Sequence, residues 1–237
     1  MKADDEWAST LELLERRRAP YAGPLATIAG DILRRFPPAG GAVLEVGAGA
    51  GQLRDWLPAS LRARAMHSEP SAAAVKALHR RAPDAGAVRA PVEALPIPNG
   101  ACGAVLGLCV FDAIPDARAA AAEVARVLAP GGRWVFAVNH PMRWAFSDDP
   151  GPDGLVVSQS YFDRTPYVEV DGGGTPTYVE HHRTLGDRVR DVVAAGLELV
   201  DLVEPEWPDG RARVWGQWSP LRGALFPGTA IFVCRRP

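Results

Sequence analysis

The apolar positions of this 237-residue chain change their spacing along its length, and the changes mark out its elements. Short apolar runs at residues 42–46, 65–68, 86–90, 104–110 and 134–138 have the length of strands and are bounded by Gly, Pro or polar residues. Between them, helical spacing predicts helices over 52–61, 72–81 and 117–128. Ser71 and Asp116 stand where they would cap the second and third of these, and Pro130-Gly131-Gly132 stops the third. Two further helical stretches, 6–18 and 25–35, precede the first strand. Strands alternating with helices predict a parallel sheet covered on both faces.

The pattern breaks after residue 138. Residues 139–183 are rich in Pro, Gly, Asp and aromatic rings and lack a helical period. Within them, 167–170 and 177–182 alternate like strands around Asp171-Gly172-Gly173-Gly174, which is a hairpin signal. Thr184, with Asp187 three residues on, forms a capping-box pattern that opens a helix to residue 195. Two more strands, 197–203 and 229–234, close the chain, and their order predicts an antiparallel hairpin at one sheet edge. The expected architecture is α/β: seven mostly parallel strands with helices on both faces, and a small β-rich cap inserted after the fifth strand. The chain reads as a single domain over 1–237, with an N-terminal helical segment at 1–36 and the cap at 139–183.

Composition narrows the function. Hydrophobic residues make up 47% of the chain, charged residues 23%, and the net charge is −2. No basic excess is present to hold a phosphate backbone, so nucleic acid is not an expected partner. No apolar run reaches the roughly 18 residues of a membrane span, and the acidic first ten residues carry no secretory signal. Cys102, Cys109 and Cys234 lie in apolar runs and read as buried thiols, with neither a disulfide framework nor a metal cluster expected. A cytoplasmic protein, monomeric or homodimeric, is expected.

The candidate chemistry begins at the first strand-to-helix turn, where an open α/β sheet binds its ligands. Here the turn reads Glu45-Val46-Gly47-Ala48-Gly49-Ala50-Gly51. Its glycines allow a sharp bend and close approach of a ligand. Gln52 occupies the position of the last glycine in the dinucleotide fingerprint, and no Gly-Lys-Ser/Thr follows for a phosphate loop. Glu45, two residues before the first glycine, is a poor neighbour for a pyrophosphate and suits a cationic ligand. Glu69, at the end of the second strand and followed by Pro70, can accept both hydroxyls of a ribose.

Three ordered segments then carry a resemblance. Val43-Leu44-Glu45-Val46-Gly47-Ala48-Gly49-Ala50-Gly51, Pro91-Val92-Glu93-Ala94-Leu95-Pro96-Ile97-Pro98 and 124–134, with Leu128-Ala129-Pro130-Gly131-Gly132, resemble the first, post-third-strand and pre-fifth-strand motifs of class I S-adenosylmethionine-dependent methyltransferases. The resemblance implies a Rossmann-like sheet and S-adenosylmethionine as cofactor, with S-adenosylhomocysteine as product. It implies that Gly47, Ala48, Gly49 and Gly51 cradle the methionine part, with Glu45 near the ammonium. Glu69 and Pro70 would hold the ribose, and Val92 and Glu93 would flank the adenine. Cys109, Val110 and Phe111 would lie under the sulfonium and methyl group, with Phe111 also touching the acceptor. One departure is Pro91, which stands where the family often has an acid on the adenine amino group.

On the acceptor side, a hydroxyl or ammonium substrate needs a base. His140, right after the fifth strand, and the pair His181-His182 are the candidates. Trp144, Tyr161 and Tyr178 of the cap, with Phe146, Phe162 and Tyr167, could roof a small, hydrophobic or aromatic acceptor. Trp207, Trp215 and Trp218 carry two readings, a pocket wall or a private core or dimer contact, and Tyr21 of the N-terminal segment could close over the cofactor. The segments 139–144, 181–187 and 201–205 resemble bacterial small-molecule methyltransferases, which leaves the acceptor open among O, N and C nucleophiles. The alternative is a binding protein for S-adenosylmethionine that has lost catalysis.

Overall fold

The computed structural model describes residues 25, 27–38, 40–207, 214 and 218–237. The stretch 6–18, Tyr21 and Trp215 lie outside the described residues. A helix at 27–35 (α1) leads to strand β1 (Ala42–Val46), a 3-10 turn (Gln52–Trp56) and the single-turn helix α2 (Ala59–Arg62). Then come β2 (Ala65–Ser68), α3 (Ala72–Arg81), β3 (Gly86–Val88), β4 (Cys102–Leu108), α4 (Ala117–Val127) and β5 (Leu128–Asn139). The insert holds 3-10 turns at Pro141–Ala145 and Pro152–Leu155, and strands β6 (Tyr167–Val170) and β7 (Pro176–Glu180). Helix α5 (Leu185–Ala194), β8 (Glu198–Val203), α6 (Pro220–Gly223) and β9 (Thr229–Arg235) complete the order.

Seven strands form one sheet in the order β3-β2-β1-β4-β5-β9-β8, while β6 and β7 pair by themselves. The first five are parallel, and β9 runs antiparallel to both β5 and β8. The expected closing hairpin is present, with its second strand slotted inside the sheet and its first strand at the edge. Strand order reverses between β1 and β4, so the crevice that receives a ligand opens above their carboxyl ends.

Successive residues on each strand face opposite layers. Leu44, Val105 and Phe136 pack with Val124 of α4 and Val192 of α5. Their neighbours Val43, Leu106 and Val135 pack on the other side with Ile32 and Leu33 of α1 and with Leu53 and Leu57. Both faces of the central strands are therefore dry, which is why they read as continuous apolar runs.

Local signals decide most helix ends. Ser71 and Asp116 accept from Ala74 and Ala119 N–H, and Thr184 and Asp187 form a reciprocal capping box. The single helix expected over 52–61 is replaced by the 3-10 turn and α2. Pro58 causes the break: it sits in extended geometry (φ −50°, ψ 142°), donates no N–H and forces Leu57 out of helical space. Strand β4 ends earlier than its apolar run, at Cys109, whose φ of 57° is left-handed. Strand β5 begins earlier than expected, since the chain around Pro130-Gly131-Gly132 already follows the sheet.

Candidate cofactor and acceptor site

The loop after β1 requires glycine by conformation. Gly47, Gly49 and Gly51 all take positive φ, at 64°, 56° and 80°. A Cβ on Gly47 would also stand 2.3 Å from Cγ2 of Val110, so the loop and the segment after β4 are in direct contact. Ala48 N–H donates to Ser68 O at 3.1 Å, tying the loop to the end of β2. Glu69 completes the tie, its Oε2 accepting Gly49 N–H at 2.9 Å and its Oε1 accepting Ser71 N–H at 3.0 Å. A carboxylate offers about four lone-pair positions, so these two bonds orient Glu69 and leave capacity for two hydroxyls. That acceptor suits a ribose diol beside a glycine loop, and the residues fit S-adenosylmethionine.

Glu45 is buried under the loop, and its Oε2 meets Nδ1 of His67 at 2.8 Å. The two residues are register partners on β1 and β2. After β3 the chain turns at Pro91–Ala94, with Ala94 N–H donating to Pro91 O at 3.3 Å. Val92 is buried there, Glu93 is half-buried and Pro70 is exposed. The Pro70 carbonyl accepts from Arg89 Nε at 3.1 Å.

After β4, Cys109 holds a left-handed conformation that costs a non-glycine residue about 1–2 kcal/mol. Its N–H donates to Ala137 O at 2.9 Å. This strained residue beside the glycine loop fits the tendency of functional sites to store backbone strain. Phe111 faces inward: it is 1% exposed and sits 5.0 Å from the ring of Trp134 and 5.2 Å from Phe136. Of the three post-β4 candidates, Cys109 and Val110 border the crevice and Phe111 belongs to the core.

The roof is fastened to this edge by a buried polar cluster. Asp112 accepts Asn139 N–H at 2.8 Å and pairs with Arg188 of α5 at 2.7 Å. Asn139 Nδ2 donates to Tyr178 OH at 3.3 Å and to Glu180 Oε2 at 3.1 Å. Tyr178 OH donates to the same Glu180 oxygen at 2.7 Å, and Arg143 pairs with it as well. The lid backbone joins in, with His181 N–H donating to Asp112 O at 2.7 Å. Burial pushes the Asp112 carboxyl up to about 7; the Arg188 guanidinium opposes the rise and the Glu180 charge adds to it. Burial also raises the Tyr178 phenol, and Glu180 reinforces it, so Tyr178 is a firm donor.

The lid aromatics largely pack on one another. Trp144 stacks on His182 at 4.7 Å, Tyr161 meets the same imidazole edge-on at 5.6 Å, and Tyr161 OH accepts Leu185 N–H at 2.9 Å. His182 Nε2 lies 2.7 Å from Tyr161 O, and burial holds its imidazole below the usual histidine range. His140 is buried with both ring nitrogens engaged: Nδ1 accepts Met142 N–H at 3.2 Å, and Nε2 meets Glu204 at 2.7 Å. His181 is half-buried on the lid. Trp207 and Trp218 stack at 6.5 Å near α6. Sequence reasoning missed Asp112, Arg143, Glu180, Arg188 and His67. Asp112 and Arg188 are 76 residues apart, and no local spacing announces such a pair.

Among the described residues, no cluster of His, Cys, Asp and Glu could hold a metal, and no helix is long and apolar enough to cross a membrane. Residues 44–136, from β1 to β5, match the family model described as "Methyltransferase domain". A search of curated proteins finds no matching sequence. Several solved structures share the fold. An S-adenosylmethionine-dependent methyltransferase from Mesorhizobium loti is 17% identical, with 87% of this chain and 96% of that one covered and a TM-score of 0.61. The chain bound to the Haloferax volcanii Trm112 methyltransferase activator is 17% identical, with coverage of 99% and 97% and a TM-score of 0.66. The 4+2 cyclase SpnF is 18% identical, with coverage of 89% and 80% and a TM-score of 0.57. Such identities establish the fold, and fold alone does not fix chemistry. The family match over residues 44–136 and the fold agree with the loop: this stretch resembles a methyltransferase domain, and the chain has the fold of solved S-adenosylmethionine-dependent methyltransferases.

Proposed function

We propose that the protein transfers the methyl group of S-adenosylmethionine to an oxygen, nitrogen or carbon of a small, hydrophobic or aromatic acceptor held under the lid. The observation that carries this reading is the fastening of β7 to the carboxyl ends of β4 and β5 by Asn139, Tyr178, Glu180 and Asp112. It ties the strand that carries Tyr178 to the segment that follows Cys109 and Val110. The cofactor supplies an electrophilic methyl carbon on sulfur. The protein positions the acceptor in line with that carbon and keeps water out.

For the cofactor, Gly47, Ala48, Gly49 and Gly51 would line the methionine part and Glu69 the ribose, while Val92 and Glu93 would flank the adenine. An acceptor that loses a proton needs a base. Among the lid histidines, His182 fits best. Burial lowers its imidazole, and donation from Nε2 to Tyr161 O leaves Nδ1 to take the proton. His140, locked between Met142 N–H and Glu204, would shape the acceptor side by holding two loops together.

The test is turnover of labelled S-adenosylmethionine against a panel of phenols, amines, carboxylic acids and activated carbon acids. Methylated product in one class, lost in His182→Ala for phenols or amines while S-adenosylhomocysteine still binds, is expected. Cofactor binding without turnover of any class would favour a protein that binds the cofactor for another purpose, as the non-methylating name of SpnF illustrates for this fold.

A further inference from the structure

His67 is among the most deeply buried polar groups in the described structure. Its side chain is 0% exposed, and Nδ1 lies 2.8 Å from Oε2 of Glu45, itself 7% exposed. The other ring nitrogen, Nε2, is buried without a hydrogen-bond partner. A proton on Nε2 would be an N–H buried with no acceptor, which costs about 1–3 kcal/mol. The ring therefore carries its proton on Nδ1 and donates it to the carboxylate. In that form it orients Glu45 without neutralising it.

The geometry makes this orientation specific. Glu45 and His67 are register partners on adjacent parallel strands, and both strands lead straight into the site. Glu45 lies two residues before Gly47, and His67 two residues before Glu69. One short hydrogen bond thus links the two strand ends that carry the loop and the ribose acid. Ala48 N–H to Ser68 O and Gly49 N–H to Glu69 Oε2 are further rungs of the same ladder.

We propose that His67 is a positioning residue for the methionine end of S-adenosylmethionine, acting through the carboxylate of Glu45. This rests on the placement of Glu45 beside the cofactor ammonium. A carboxylate free to rotate would lose part of a charge-assisted contact, whereas one fixed by Nδ1–H presents a constant field to the cation.

Two commercially accessible probes separate this role from a merely structural one. S-adenosylhomocysteine keeps the amino-acid end, and 5′-methylthioadenosine lacks it while sharing the adenosine and the sulfur. Both are titrated calorimetrically into wild type, His67→Leu, His67→Asn, Glu45→Gln and the double variant Glu45→Gln/His67→Leu. His67→Leu is expected to weaken S-adenosylhomocysteine about tenfold, with 5′-methylthioadenosine changed less than about twofold. His67→Asn, whose amide can replace the Nδ1–H donor, restores most of the loss. The double variant binds no more weakly than Glu45→Gln, because His67 acts through Glu45.

Should His67→Leu fail to fold, His67→Gln carries the same expectation, since its amide reaches toward the Nε2 position instead. Equal weakening of both ligands, or unchanged affinity for S-adenosylhomocysteine, overturns the proposal. Tight binding that survives Glu45→Gln would instead show that Glu45 does not face the ammonium, and the proposal falls with that placement. A wild type that binds neither ligand would overturn the cofactor assignment itself, a result distinct from the others.

Discussion

The floor and the roof of this site are built by different means. The floor is a run of backbone: three left-handed glycines, two strand ends and one acid, all within residues 45–71. The roof is a set of side chains drawn from β5, β7, α5 and the segments that follow β4 and β5, joined by ion pairs that cross up to 76 residues. Backbone geometry demands particular residues at fixed spacing, so a floor of this kind leaves a signature. Buried ion pairs demand only that opposite charges meet in space. Floor and roof should therefore fail differently when altered, the floor through cofactor affinity and the roof through stability and acceptor chemistry.

The largest expected effect is at the roof. Asp112→Ala strands the Arg188 guanidinium in the core, where the side chain is 3% exposed, and should cost about 3–5 kcal/mol in urea unfolding. Asp112→Asn gives a sharper test through pH. The folded carboxyl, pushed up to about 7, holds its proton more tightly than the unfolded one, whose value lies near the ordinary 3.8. Its contribution to stability is therefore fully present below the unfolded value and is lost as pH rises from about 4 to about 7. Subtracting the Asp112→Asn profile from wild type should show a difference that falls across that window and is flat above it. A difference that rises with pH would mean that the Arg188 pair outweighs burial.

Next in size is Gly47→Ala. The new methyl meets Val110 at 2.3 Å and the residue must hold φ 64°. Strain of about 1–2 kcal/mol from the dihedral alone, plus the clash, should weaken S-adenosylhomocysteine binding more than tenfold. If affinity is kept and only stability falls, the loop is a turn and not a floor. The smallest effect belongs to Tyr178→Phe. Losing one hydroxyl from Glu180 should cost about 1 kcal/mol in stability and leave cofactor affinity unchanged, as measured by urea unfolding and calorimetry side by side. A matching loss of cofactor affinity would erase the division between the two regions.

The same division explains what the sequence disclosed. The alternation of strands and helices, the caps at Ser71, Asp116 and Thr184, and the loop with Glu69 are all written over a few neighbouring residues. Each was legible because a local rule requires it. Residues 52–61 carry helical spacing, yet Pro58 splits the segment into a 3-10 turn and α2. His67 escaped because its meaning comes from strand register: a lone histidine in a short strand carries no hint that it will face Glu45. Phe111 follows a site-forming strand, yet a tight turn at Cys109 sends its ring into the core beside Trp134. The cluster of Asp112, Arg143, Glu180 and Arg188 was invisible for the reason the roof differs from the floor: its members meet only in the folded chain.

Calorimetric titration of S-adenosylhomocysteine into wild type and Glu69→Ala tests the central claim most directly. Glu69 grips both Gly49 and Ser71 and would accept the ribose hydroxyls through charge-assisted bonds worth about 1.5–3 kcal/mol. Clear binding by wild type and a loss of about tenfold to a hundredfold in Glu69→Ala are predicted. Equal affinity in the two proteins would contradict the account.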